Sequence, residues 1–146
     1  HSPAYTAQEI AASARISGRE VVKTVMVWID GVMVMTAIPA SHYVDFERLK
    51  EIAGAARVDL ANEEDYRNLF PDCEIGAEPP FGNLYGLEVY AAKPLIQDRY
   101  IAFNAGSHRE LVRMTYSDYE RLVKPRVFSF SQKESGMPRE ERPVHA

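Results

Sequence analysis

The chain has 146 residues, 46% hydrophobic and 26% charged, which fits one globular domain with a real core. A net charge of −4 and a pI near 5.6 exclude a protein that grips nucleic acid by bulk positive charge, so a nucleic-acid partner has to be held at a local patch. One cysteine, Cys73, excludes an internal disulfide, and no apolar run approaches a membrane span, so a reducing, cytoplasmic setting is expected.

Thr6-Ala7-Gln8-Glu9 is a capping-box pattern and predicts a helix from Thr6 to Arg15, ended by Ser17-Gly18. Val21 to Ile29 reads as a strand and Val32 to Ile38 as its return, joined by the hairpin signal Asp30-Gly31. Phe46, Leu49 and Ile52 give helical spacing over Asp45–Ala53, with Gly54 as the stop. Arg57–Leu60 reads as a short strand. Asn62 caps an acidic-start helix with Tyr66, Leu69 and Phe70 on its buried face, and Pro71 stops it. A Gly/Pro loop runs from Asp72 to Asn83. Strands follow at Leu84–Ala91, Arg99–Asn104 and Leu111–Tyr116, then a helix opened by Ser117-Asp118-Tyr119-Glu120. Helices alternate with strands but a tight hairpin is present. The fold class expected is therefore α+β, with helices packed on a mixed sheet. The expected organisation is one domain over 1–130 and a polar C-terminal tail over 131–146.

Lys23 is out of place in this pattern. At period two it shares a strand face with Val21, Val25, Val27 and Ile29, and a cation there costs free energy unless it snorkels, pairs or works. Two segments offer partners. Gly76-Ala77-Glu78-Pro79-Pro80 is a loop stiffened by prolines, whose glycine lets backbone amides approach a carbonyl oxygen or an anion. Asn104-Ala105-Gly106-Ser107-His108 brings an amide, a hydroxyl and an imidazole to a strand end. His42, before the second helix, is a fourth polar candidate. The four histidines do not pair with one another or with Cys73 at zinc spacing, so no metal is expected. No phosphate-loop fingerprint or nucleophile elbow is present.

His1–Ala7, Val22-Lys23-Thr24-Val25, Gly76 with Pro80, and Phe103–His108, in this order and at these intervals, resemble the YbaK-type family. That family includes the editing insertion domain of bacterial prolyl-tRNA synthetases and its free-standing relatives, and the match spans roughly 1–130. The resemblance implies a strongly curved mixed sheet with helices around it and an aminoacyl-tRNA deacylase acting in trans in translation quality control. It implies no cofactor. The partners it implies are the aminoacyl-tRNA acceptor end and an aminoacyl-tRNA synthetase, not DNA or a membrane. Lys23 and Gly76 map onto the catalytic positions. Pro80, Asn104, Gly106, Ser107, His108 and His42 are assigned to substrate binding. The alternative of the same fold is a catalytically silent module that binds a tRNA end or a synthetase.

Overall fold

Apolar, β-branched runs make strands β2 (Val21–Ile29) and β3 (Val32–Pro39), paired antiparallel with Lys23 opposite Ile38. Asp30 and Gly31 between them have φ of 48° and 80°, the left-handed pair that lets a two-residue turn follow the strands' twist. The computed structural model describes residues 4–5 and 21–134; the helix expected at Thr6–Arg15 lies outside the described residues.

The remaining elements are β1 (Ala4–Tyr5), β4 (His42–Val44), α1 (Phe46–Ala53), β5 (Val58–Leu60), α2 (Glu63–Tyr66), β6 (Glu88–Ala92), β7 (Tyr100–Asn104), β8 (Leu111–Thr115), α3 (Tyr116–Val123), β9 (Arg126–Phe128) and β10 (Ser131–Lys133). The main sheet runs β1-β8-β7-β2-β3-β6-β9, and β10 pairs with β4 in a small second sheet. Parallel pairs (β2 with β7, β3 with β6, β6 with β9) mix with antiparallel ones, so the expected α+β class with a mixed sheet holds. Among the described residues no helix is long and apolar enough to cross a membrane.

Strand alternation sorts the core into two layers. Val22, Met26, Met35, Ala91, Ile101 and Phe103 face one side, where Tyr116, Tyr119 and Val123 of α3 cover them. Val27, Val34, Ile38 and Tyr90 face the other, against Leu49 of α1 and Phe130. The two central strands are therefore apolar on both faces, which is why they read as nearly continuous hydrophobic runs. The Asp45 carboxylate accepts from the Arg48 N–H at the start of α1, and Gly54 closes it at φ 62°.

The sheet has a notch. On the edge of β2 away from β3, β7 pairs only with Val21 and Val22, and β5 pairs only from Val27 onward. Among the described residues no strand lies beside Lys23–Val25 on that edge, while Met26 still accepts from the Ala61 N–H at 3.0 Å.

Several local expectations need correction. The strand expected from Leu84 begins at Glu88, because Gly82–Tyr85 winds into a 3-10 turn closed by Gly86 at φ 74°. The last helix starts at Tyr116, capped by the Thr115 hydroxyl rather than by Ser117. Leu69 is exposed, because the helix tightens to 3-10 geometry after Tyr66 and turns that residue outward. Ser131–Lys133, assigned to a loose tail, is strand β10, fixed to β4 by register and by Phe130, which is fully buried.

If this C-terminal segment is integral, Phe130→Ala should cost about 3–5 kcal/mol in urea unfolding. A loss under about 1 kcal/mol would show that β10 is only an appendage.

Candidate functional site

Three chain segments converge on the notch. The ladder pairs Val22 with Phe103, so Asn104, still paired with Leu111 of β8, ends β7 next in register to Lys23, and the turn 104–108 begins there. One residue along, the Thr24 hydroxyl donates to the Glu78 carbonyl at 3.2 Å, mooring the Gly76–Pro80 loop against β2. The two turns also hold each other. Glu74 N–H donates to the Gly106 carbonyl and Gly106 N–H to the Ala77 carbonyl, both at 2.8 Å. His108 N–H donates to the Glu74 carboxylate at 2.8 Å, and its ring Nε2 meets the Ile75 carbonyl at 2.6 Å. A carbonyl only accepts, so Nε2 carries the proton. The Glu74 carboxyl is held below its usual range by the His108 amide, then by the Ser107 hydroxyl.

The polar residues of the second turn mostly build the turn. Asn104 donates from Nδ2 to the Ser107 and Glu110 carbonyls, each at 3.0 Å, and the Ser107 hydroxyl accepts from the Arg109 N–H. Gly106 has φ 102°, which a side chain would strain. Pro80 is fully buried and its carbonyl accepts from the Tyr119 hydroxyl at 2.7 Å, tying the loop to α3. Beside both turns lies a hollow of about 470 Å³, lined chiefly by Pro79, Phe81, Phe103, Ala105 and Leu122, with Arg121 at its wall.

Gly76 has φ 84°, and a Cβ there would sit 3.3 Å from His108 Cε1. Its amide was expected to be free for a ligand oxygen. Instead it donates to Glu78 Oε2 at 3.0 Å, and the Ala77 amide donates to the Glu74 carbonyl. The loop closes on its own carboxylate. Glu78 is buried at 6% exposure, and burial pushes its carboxyl above the ordinary range against the opposing pull of the Gly76 amide. Glu78 was passed over in the sequence; its only signal was an acid inside a Gly/Pro loop.

Lys23 goes the other way. Alternation aims its side chain to the face opposite Thr24, where Nζ meets Glu134 Oε1 at 3.2 Å. Among the described residues no hydrogen bond or ion pair joins the ammonium to either turn. The single cavity expected to hold Lys23 with both turns is replaced by a notch with the lysine on one face and the turns on the other. His42 lies on the lysine's side: it is buried, hydrogen-bonded through Nδ1 to the Ser131 hydroxyl at 2.9 Å, and its pKa is lowered by burial and then by Lys133 and Lys23. Glu134 had no signal in the sequence, because the fold of the C-terminal strand alone brings it to Lys23. Among the described residues no three His, Cys, Asp or Glu side chains cluster so as to hold a metal ion.

The raised Glu78 carboxyl has a stability consequence. Its folded value lies above the ordinary 4.5, so the folded state binds the proton more tightly than the unfolded chain. That contribution is fully present below pH 4.5 and is lost as pH rises through the folded value. Glu78→Gln keeps an acceptor for the Gly76 amide and removes the titration. Melting curves across pH should show the variant gaining on the wild type as pH rises from about 4 to 7; a pH-independent difference would contradict the burial argument.

The model of the aminoacyl-tRNA editing domain matches residues 1–122. The chain is 31% identical to a proline–tRNA ligase of Bacillus cytotoxicus over 84 residues, covering 58% of this chain and 15% of the ligase. It is 27% identical to the ligase of Bacillus mycoides with the same coverage, so the chain spans about 15% of the length of these relatives. A solved structure described as a candidate trans-editing enzyme for prolyl-tRNA synthetase superimposes with a TM-score of 0.74 at 21% identity, over 87% of this chain and 80% of that one. Another, described as a candidate signal transduction protein from Marinobacter aquaeolei, gives 0.73 at 14% identity over 85% of this chain and 27% of that one, a likeness of fold alone. By the extent of the family match, the chain belongs to the aminoacyl-tRNA editing domain family.

Proposed function

We propose that the protein is an aminoacyl-tRNA deacylase that hydrolyses the ester of mischarged tRNA in trans. Besides family membership, one observation carries this reading. Among the described residues no strand lies beside Lys23–Val25 on one edge of β2, and this gap has the Lys23 side chain on one face and two interlocked turns on the other. The proposed partner is the acceptor end alone, gripped locally, which agrees with a chain of net charge −4. A synthetase that holds the tRNA would raise the effective concentration of substrate. The cytoplasm is the proposed location, because that is where charged tRNA is found.

In the proposed reaction a water attacks the ester carbonyl carbon. The bond from that carbon to the ribose oxygen breaks, the water's proton passes to the ribose, and free amino acid and tRNA leave. Negative charge develops on the carbonyl oxygen. Because the Gly76 and Ala77 amides are engaged inside their own loop, the opposing charge falls to the Lys23 ammonium at the lip of the notch. The turns contribute shape: the His108 ring lies close to Gly76, and the open, largely apolar hollow beside Pro79 and Ala105 offers a seat for the acyl side chain.

Release of free amino acid from a panel of mischarged tRNAs tests the reading. Lys23→Ala should lower turnover about 100-fold or more in a variant shown by its melting curve to be folded, although loss of a pair whose side chains are only 27% and 21% exposed should destabilise it. Near-normal turnover would remove Lys23 from the mechanism. Binding of the acceptor end without release of amino acid from any tRNA would favour the silent binding module instead. Gly76→Ala strains a backbone at φ 84° and presses a methyl on the His108 ring. Turnover should fall, and an unchanged rate would mean that the loop does not touch the ester.

A further inference from the structure

Lys23 shares its face of the sheet with a second cation. The ladders align Val21 with Ala102 and Ala102 with Arg113, so Val21, Lys23, Ala102 and Arg113 face one way. Tyr100, two residues before Ala102 on β7, faces with them. The Arg113 guanidinium carbon lies 4.0 Å from the centre of the Tyr100 ring, and that of Arg99, just before β7, lies 5.5 Å from the same centre. Two strand spacings of about 4.8 Å across and two residues of about 3.3 Å along put the α-carbons of Arg113 and Lys23 about 12 Å apart.

Neither guanidinium has a counter-charge. Among the described residues no hydrogen bond or ion pair reaches the side chain of Arg113 or Arg99, and Arg113 Nε is shielded from solvent without a partner. Asp98, which precedes Arg99, is buried and engaged in an interaction of its own. By contrast Arg57, Arg121 and Arg126 each have a carboxylate within 3.4 Å. In a chain with 21 acidic residues against 17 Lys and Arg, two converging guanidiniums without an acid run against the average. A guanidinium has five N–H donors, and a ring contact at its face uses none of them. A part-buried arginine whose donors are all unused calls for an acceptor from outside the chain.

The acceptor that fits is a phosphodiester. It offers two charged oxygens to a planar fork of donors, and a second cation beside the fork suits its spread charge. An aromatic ring flanked by arginines is also the composition of sites that track a single strand. We propose that Arg113, held on the Tyr100 ring with Arg99 beside it, seats a backbone phosphate of the RNA strand that carries the ester, on the sheet face that bears Lys23. The inference deepens the deacylase reading above and rests on it for the identity of the strand. It gives a chain of net charge −4 a local grip on a polyanion.

The test measures binding of one uncharged tRNA to the full chain across a salt series. Beside it runs hydrolysis of the same tRNA in its aminoacyl form and of the matching aminoacyl ester of adenosine, which has no phosphate. Arg113→Gln, checked by melting to be folded, should weaken tRNA binding about five-fold or more. It should also lower the slope of log affinity against log salt by about 0.7, the value for one phosphate of a single strand. Its loss of kcat/KM should be about five-fold greater on the tRNA than on the adenosine ester. Arg113→Lys, which keeps the charge, should keep the slope. Unaltered affinity and slope in Arg113→Gln would overturn the proposal. So would an equal loss on the two esters, which marks a cation that only braces the sheet, or a wild type that binds no tRNA. If the wild type binds tRNA but cleaves neither ester, the deacylase reading fails, and the affinity and slope of Arg113→Gln still decide for the phosphate seat.

Discussion

A cation on the apolar face of a core strand is the constraint around which the rest of the site is arranged. Lys23 lies on β2 among Val25, Val27 and Ile29, where an unpaired ammonium would be costly. The fold answers in two ways. Among the described residues it leaves the edge of β2 without a neighbouring strand from Lys23 to Val25, and the lysine side chain is 27% exposed. And it brings the carboxylate of Glu134, the residue after β10, to within 3.2 Å. Both arrangements are demanding to build, and neither is required by packing alone.

The Gly76–Pro80 loop follows a parallel logic with the sign reversed. Here the buried charge is the Glu78 carboxylate, and the loop supplies the Gly76 amide to it. Such an amide has a fixed dipole and needs no reorganisation to hold negative charge. The same stiffness that suits a ligand oxygen suits an internal acid, and in this chain the internal acid occupies it. Glycine is required at Gly76 for two reasons at once, its φ of 84° and the His108 ring packed against its α-carbon.

Much of the architecture was legible because it follows from short-range rules. The Asp30-Gly31 turn demands positive φ at both residues, and its flanking runs have the period of strands, so β2, β3 and their pairing could be read directly. Asp45 and Gly54 bracket α1 for equally local reasons. Of the three-residue strands only β5 was read from the sequence; β4, β9 and β10 were not, because three residues rarely suffice to show a period. Leu84–Gly86 misled, because an apolar stretch before a glycine suits a 3-10 turn as well as a strand end. In the site, the two turns and the lysine were visible as oddities of composition. Their pairing was not: the interlock of Gly106 with Glu74 and Ala77 runs through backbone atoms, which carry no residue-type signal.

By itself the sequence determined that a lysine stands on a core strand, that two glycine-bearing turns follow it, and that no bulk positive charge draws in nucleic acid. These are statements about residue type and local period, which side-chain chemistry settles without reference to distant partners. Only the tertiary structure decided which face Lys23 takes, that the Gly76 amide closes on Glu78, and that the lysine's counter-charge comes from Glu134. The first depends on strand register and the last on a contact between residues 111 positions apart. Such choices are made by the packing of the whole chain, in which β10 reaches Lys23 only after Phe130 has found the core.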